Sequence, residues 1–281
     1  MQHAIAKIRD LRSNQQMTAR FSAILSDDLQ NHYREPRMTL PNLHACASEL
    51  APKGVMRAAI NLSNFLLVSG RHENGEPYGV APDMAKAIGA ALNVPVELVP
   101  FASPGEVVDA ATKDQWDVCL IGAEPARAEI IHFTQAYVEI LATYLVPAGS
   151  PLKTIADVDQ PGVRIAVAAR AAYDLWLVAN IKHASLHHAQ GIDAAYDLFV
   201  NEKLDALACL KPRLLSDVEK LPGSRILDGQ FTSVQQAVGT HKSNIVSADF
   251  LSHFVKDKIR SGFVQSLIEK HSVKGLSVAS V

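Results

Sequence analysis

The chain has 281 residues, a formal net charge of -2, 48% hydrophobic and 20% charged residues. That length exceeds what one ordinary core needs and suits two compact lobes, and the apolar fraction excludes an unstructured chain. Acids and bases are mixed along the sequence, with no basic stripe for nucleic acid and no polybasic block for a membrane surface.

Apolar residues fall at helical spacing at Ile5, Ile8 and Leu11, and again at Phe21, Ile24, Leu25 and Leu29. Pro36, Pro41 and Pro52 interrupt residues 31–52, which read as a linker. Charged residues break every apolar cluster of residues 1–50, so no secretory leader is legible there. On the residues alone this points to a cytoplasmic product. No segment approaches the roughly 20 apolar residues of a membrane span.

From about residue 54 short apolar runs alternate with helical patterns. Strands are expected at 55–60, 94–99 and 117–121, with helices at 83–92 (Asp83 near its N-cap) and 104–112. A second series follows: a strand at 162–167, a helix at 171–182, a strand near Leu186, a helix at 192–200 and a strand at 204–210. Such alternation implies wound, mostly parallel sheets, and two series imply two of them. Extended runs at 139–147 and 231–240 bracket the second series and are expected to cross between the lobes. Helices at 246–261 and 262–271 close the chain. The expected division is a helical extension and linker at 1–50, a first lobe at 51–140 and 238–281, and a second lobe at 141–237. Double crossings permit hinge closure, and wound sheets bind ligands beyond the carboxyl ends of their strands.

Four segments carry a resemblance. These are Gly75 to Asp83, Trp116-Asp117-Val118, Arg127 to Tyr137, and Leu204-Asp205-Ala206. Together they resemble the family-3 extracellular solute-binding proteins over roughly residues 49–272. The resemblance implies an α/β, two-lobed periplasmic binding protein type II (Venus-flytrap) fold. It also implies a periplasmic location, a small carboxylate-bearing ligand and an ABC transporter permease as partner.

In that family the arginine matching Arg127 clamps the ligand's α-carboxylate. A planar guanidinium offers two parallel donors, which suits a carboxylate. Alternatively Arg127 is a surface residue paired with Glu124 or Glu129. Where the family has threonine this chain has Glu124, which either binds a ligand amine or neutralises Arg127. Arg170-Ala171 stands where the family has glycine and a hydroxyl residue; either the Arg170 charge replaces the amide donors and favours a doubly anionic ligand, or the site has lost binding. Leu210 stands where the family's aspartate pairs with an α-amino group, so a carboxylate without that amine is the better match. Asn61 and Asn64 could hydrogen-bond a ligand, Phe65 could stack on it or wall the cleft, and Gly122 could admit a close backbone approach. Gln235 and Gln236 are weaker candidates.

No cofactor is called for. His183, His187 and His188 lie close in sequence, but the expected helix and strand point them apart, so no metal site is read there. No GxSxG, HExxH, Walker A or GxGxxG pattern is present. The competing class is an enzyme on the same fold, resembling cyclohexadienyl or arogenate dehydratases, with Glu124 as the candidate general acid.

Overall fold

The computed structural model describes residues 40–281. The two helical stretches expected before residue 30 lie outside these residues. Pro41–Val281 forms one compact unit.

The first element is a correction. The stretch read as a linker contains helix α1 (Leu40–Leu50). Proline in the first turn removes no helical hydrogen bond, so Pro41 opens this helix, and Pro52 follows its end. Its last turn is tied to the body: the Glu49 carboxylate accepts from the Ser247 amide at 2.8 Å and the Ser247 hydroxyl at 2.6 Å.

The chain continues through β1 (Met56–Asn61), the short pair β2 (Gly70–Arg71) and β3 (Pro77–Tyr78), and α2 (Val80–Leu92). Helix α2 opens three residues before the expected start, with Gly79 as its N-cap and Asp83 near it, as expected. Gly79 takes φ 145, and a Cβ there would collide with the Leu67 carbonyl. Asp83 lies inside the first turn and holds Lys270 and His271, each at 2.7 Å. Next come β4 (Val96–Phe101), α3 (Pro104–Ala110), β5 (Val118–Gly122), the single turn α4 (Pro125–Ala128) and the long β6 (Ile131–Val146). Then follow β7 (Arg164–Ala168), α5 (Ala172–Asn180), β8 (Ser185–Ala189), α6 (Ile192–Asn201), β9 (Ala206–Leu210) and α7 (Lys211–Val218). The last elements are β10 (Arg225–Ile226), β11 (Thr232–His241), α8 (Ile245–Arg260), α9 (Phe263–Lys270) and β12 (Ser277–Val278).

The main strands hydrogen-bond in the order β4-β1-β5-β11-β6-β9-β7-β8. One half is β1 between parallel β4 and β5; the other is β7 between parallel β8 and β9. Strand β1 is buried along almost its whole length, as a central parallel strand must be. Antiparallel β6 and β11 run through both halves. Gln236 to Thr240 of β11 pair with β5, while Ala142 to Leu145 of β6 pair with β9. These two strands match the extended runs expected to cross, and β6 begins earlier than its apolar run suggested.

The apolar interior divides with the sheet. One cluster gathers Ile165, Val167, Leu177, Phe199 and Leu207 around β7 and β9, and another gathers Ala59, Val107, Trp116, Cys119 and Ile121 around β1 and β5. Trp116 anchors the second: its indole donates to the Val107 carbonyl at 2.9 Å and stacks on His241 at 4.4 Å. Cys46, Cys119 and Cys209 are buried free thiols, and burial pushes Cys119 up to about 12 and Cys209 up to about 11. They behave as small apolar residues. No helix among the described residues is long and apolar enough to cross a membrane.

Candidate functional site

The carboxyl ends of β1, β5, β7 and β9 converge on a cavity of about 320 Å³. Asn61, Asn64 and Gly122 line it from the β1–β5 half. Ala168 to Tyr173 and Leu210 line it from the β7–β9 half, and Val234 and Gln236 line it from β11. The parallel strands point their carboxyl ends at this space, where wound sheets place ligands.

Arg127 is the charged centre. It lies on α4, only 3% exposed. Its Nη1 donates to the Gly122 carbonyl at 2.7 Å and its Nη2 to the Arg170 carbonyl at 2.8 Å, so one guanidinium ties β5 to the β7–α5 turn. A guanidinium has five N–H donors; two are used, and the other three have no partner among the described residues. No ion pair neutralises it there either. Burial pulls its pKa down to about 10, against the opposing pull of the Glu124 charge. It therefore stays protonated at neutral pH, and a buried cation without a counter-ion is costly. The alternative of a surface arginine paired with Glu124 or Glu129 does not hold.

Glu124 caps no amide of α4 and does not line the cavity. Burial raises its carboxyl, while the Arg127 charge lowers it. It is thus badly placed either to meet a ligand amine in this cavity or to protonate a bound molecule.

Arg170 lines the cavity but spends its charge elsewhere. Its Nη1 and Nη2 grip the Asp109 carboxylate at 2.8 and 2.7 Å, and Nη2 reaches the Gly105 carbonyl at 3.1 Å. Gly105 allows that approach: a Cβ there would lie 2.8 Å from the guanidinium carbon. Arg170 is therefore a strap from the β7–α5 turn to α3, not a free charge for a dianion, which corrects that expectation. The turn is held in the left-handed region at φ 61, uncommon for a residue with a side chain. Asp174 fixes it, accepting from the Arg170 amide at 2.7 Å while bonding His188 at 2.9 Å. This accounts for His188, and no group of three metal-ligating side chains occurs among the described residues.

Ala171 is the N-cap of α5 and has no side chain to cap it. The opening amides of α5 therefore border the cavity and favour an anion. Gly122 is confined on three sides: a Cβ there would lie 2.8 Å from the Ala172 methyl, 3.2 Å from Val234 and 3.4 Å from the Arg127 Nη1. Asn61 and Asn64 are both buried and line the cavity. Phe65 does not. It is 40% exposed and walls an adjoining hollow with Ile192, Arg213 and Lys220, so it does not stack on a solute in this cavity. Leu210 is on the wall, at the end of β9.

Sequence reasoning missed Ser103, Glu106 and Gln190, which also line the cavity. The first two had a signal, the Ser103-Pro104-x-Glu106 spacing of a helix start: Ser103 accepts from the Glu106 amide at 3.2 Å.

Comparison with known proteins agrees with the geometry. Residues 64–274 match the profile of the bacterial extracellular solute-binding proteins, family 3. No curated protein sequence matches the chain significantly. Several solved structures share the fold. A mutant of ArgBP from T. maritima aligns with TM-score 0.65 at 20% identity, covering 81% of this chain and 99% of that one. An amino acid ABC transporter substrate-binding protein from Streptococcus pneumoniae, bound to L-arginine, aligns with TM-score 0.65 at 20% identity, covering 84% and 99%. An ancestral amino acid-binding protein, AncCDT-1, a precursor of cyclohexadienyl dehydratase, aligns with TM-score 0.64 at 21% identity, covering 79% and 97%.

Proposed function

We propose that this chain, which belongs to the bacterial extracellular solute-binding proteins of family 3, holds a small carboxylate-bearing solute between its two lobes and presents it to an ABC transporter permease. One observation carries the reading: Arg127 is a buried cation with spare donors and no counter-ion, on the wall of a cavity sized for a small molecule. The opening of α5 adds a second attraction for negative charge. The lobes meet along β6 and β11, with boundaries near residues 140 and 237, and close around the solute. ArgBP and the Streptococcus pneumoniae protein, similar to this chain in fold, support a binding rather than a catalytic role.

A thermal-shift panel of amino acids, keto acids, hydroxy acids and dicarboxylates tests this. A true solute at a hundred times its Kd should stabilise the protein by about 2.7 kcal/mol, a rise of several degrees. No shift with any acid would refute the reading. Incubation with prephenate or arogenate is expected to leave the ring unaromatised. Turnover there would favour the dehydratase alternative, for which Glu124 lies off the cavity wall.

A further inference from the structure

We propose that Arg170 and Asp109 form a latch between the lobes, which sets how tightly any solute is held without choosing among solutes. This rests on the reading that two lobes, divided near residues 140 and 237, close around the solute.

On that division Arg170, in the β7–α5 turn, belongs to the second lobe, while Gly105 and Asp109, on α3, belong to the first. Groups of the first lobe hold Arg170 at both ends. Its guanidinium grips the Asp109 carboxylate with two bonds, at 2.8 and 2.7 Å, and donates to the Gly105 carbonyl at 3.1 Å. Its own carbonyl accepts from the Arg127 Nη2 at 2.8 Å. Its amide is fixed from its own lobe by Asp174, which bonds His188 on β8. One residue is thus anchored in one lobe and clasped by the other. It holds φ 61, a costly conformation for a residue with a side chain, of the kind that persists at clamps because the surroundings over-determine it.

The fork on a carboxylate is the geometry that makes an ion pair between exposed groups count. The Arg170 guanidinium holds the Asp109 carboxyl below its usual range, and the Glu106 charge adds to the pull on Arg170. Both partners are about half exposed, so water and salt reach the pair and its effect is modest. Asp109 is not on the cavity wall, and the Arg170 charge is spent on it. The pair therefore acts on the balance between open and closed lobes. Apparent affinity scales with the population of the binding-competent arrangement, so the latch strengthens every solute by the same factor.

The test is calorimetric titration of the full chain, and of Asp109→Asn, Arg170→Gln and the double variant, with each acid that binds the wild type. Each single variant is expected to weaken every acid by the same factor, about fivefold, and the double variant no further. Raising salt from 0.05 to 1 M should lower wild-type affinity more than that of the variants. Exchanging the charges, Asp109→Arg with Arg170→Asp, should recover part of the loss. Small-angle scattering of the proteins without solute should show a larger radius of gyration in the single variants than in the wild type. Single variants that bind like the wild type, losses that add in the double variant, or a loss that differs from acid to acid would overturn the latch. Should no acid bind the wild type, the carboxylate reading fails, and scattering alone decides the latch: equal radii overturn it.

Discussion

Replacing Arg127 with alanine is expected to weaken binding of any carboxylate solute at least about a hundredfold, the usual consequence of truncating one partner of a desolvated charge pair. Arg127→Lys keeps the charge but loses the planar fork, and is expected to recover only part of the affinity. The ligand-free protein should hardly change in thermal midpoint. The variant gives up hydrogen bonds to the Gly122 and Arg170 carbonyls, but it also removes a cation that burial disfavours. Titration calorimetry beside a melting curve separates the two effects. Loss of affinity together with collapse of the fold would instead make Arg127 a structural strut.

Gly122→Val is expected to cost more than tenfold in affinity by a different route. The added Cβ would sit 2.8 Å from the Ala172 methyl, a separation real side chains do not tolerate, and would crowd Arg127. Ala172 belongs to the β7–β9 half and Gly122 to the β1–β5 half, so the clash falls where the halves meet over the cavity. The variant should therefore hold the lobes apart, and the binding-competent fraction falls with it. Small-angle scattering should show a larger radius of gyration for the variant with solute than for the wild type with solute. Equal radii and equal affinity would show that the closed arrangement does not need this glycine.

Much of this was legible in the sequence because periodicity is a local signal. Strands β1, β5, β7 and β9 are short apolar runs, and the helices between them carry the helical spacing. Arg127 was legible as a charge within a motif, though its burial was not. Burial depends on β5, the β7–α5 turn and β11, which only the fold brings together. The same limit hid the fate of Arg170. Its partner Asp109 lies 61 residues away on α3, and no spacing rule links them. Helix α1 was misread because prolines were weighed as breakers when Pro41 sits where a helix tolerates one. Gln236 was legible only as a weaker candidate, since its place on the cavity wall depends on how β11 pairs with β5 and β6.

The most direct check is a crystal structure of the protein grown with whichever acid binds most tightly. The solute's acid group should lie within hydrogen-bonding distance of the Arg127 guanidinium, between Gly122 and the opening of α5. An acid bound elsewhere, or an Arg127 side chain turned away from it, would contradict the account.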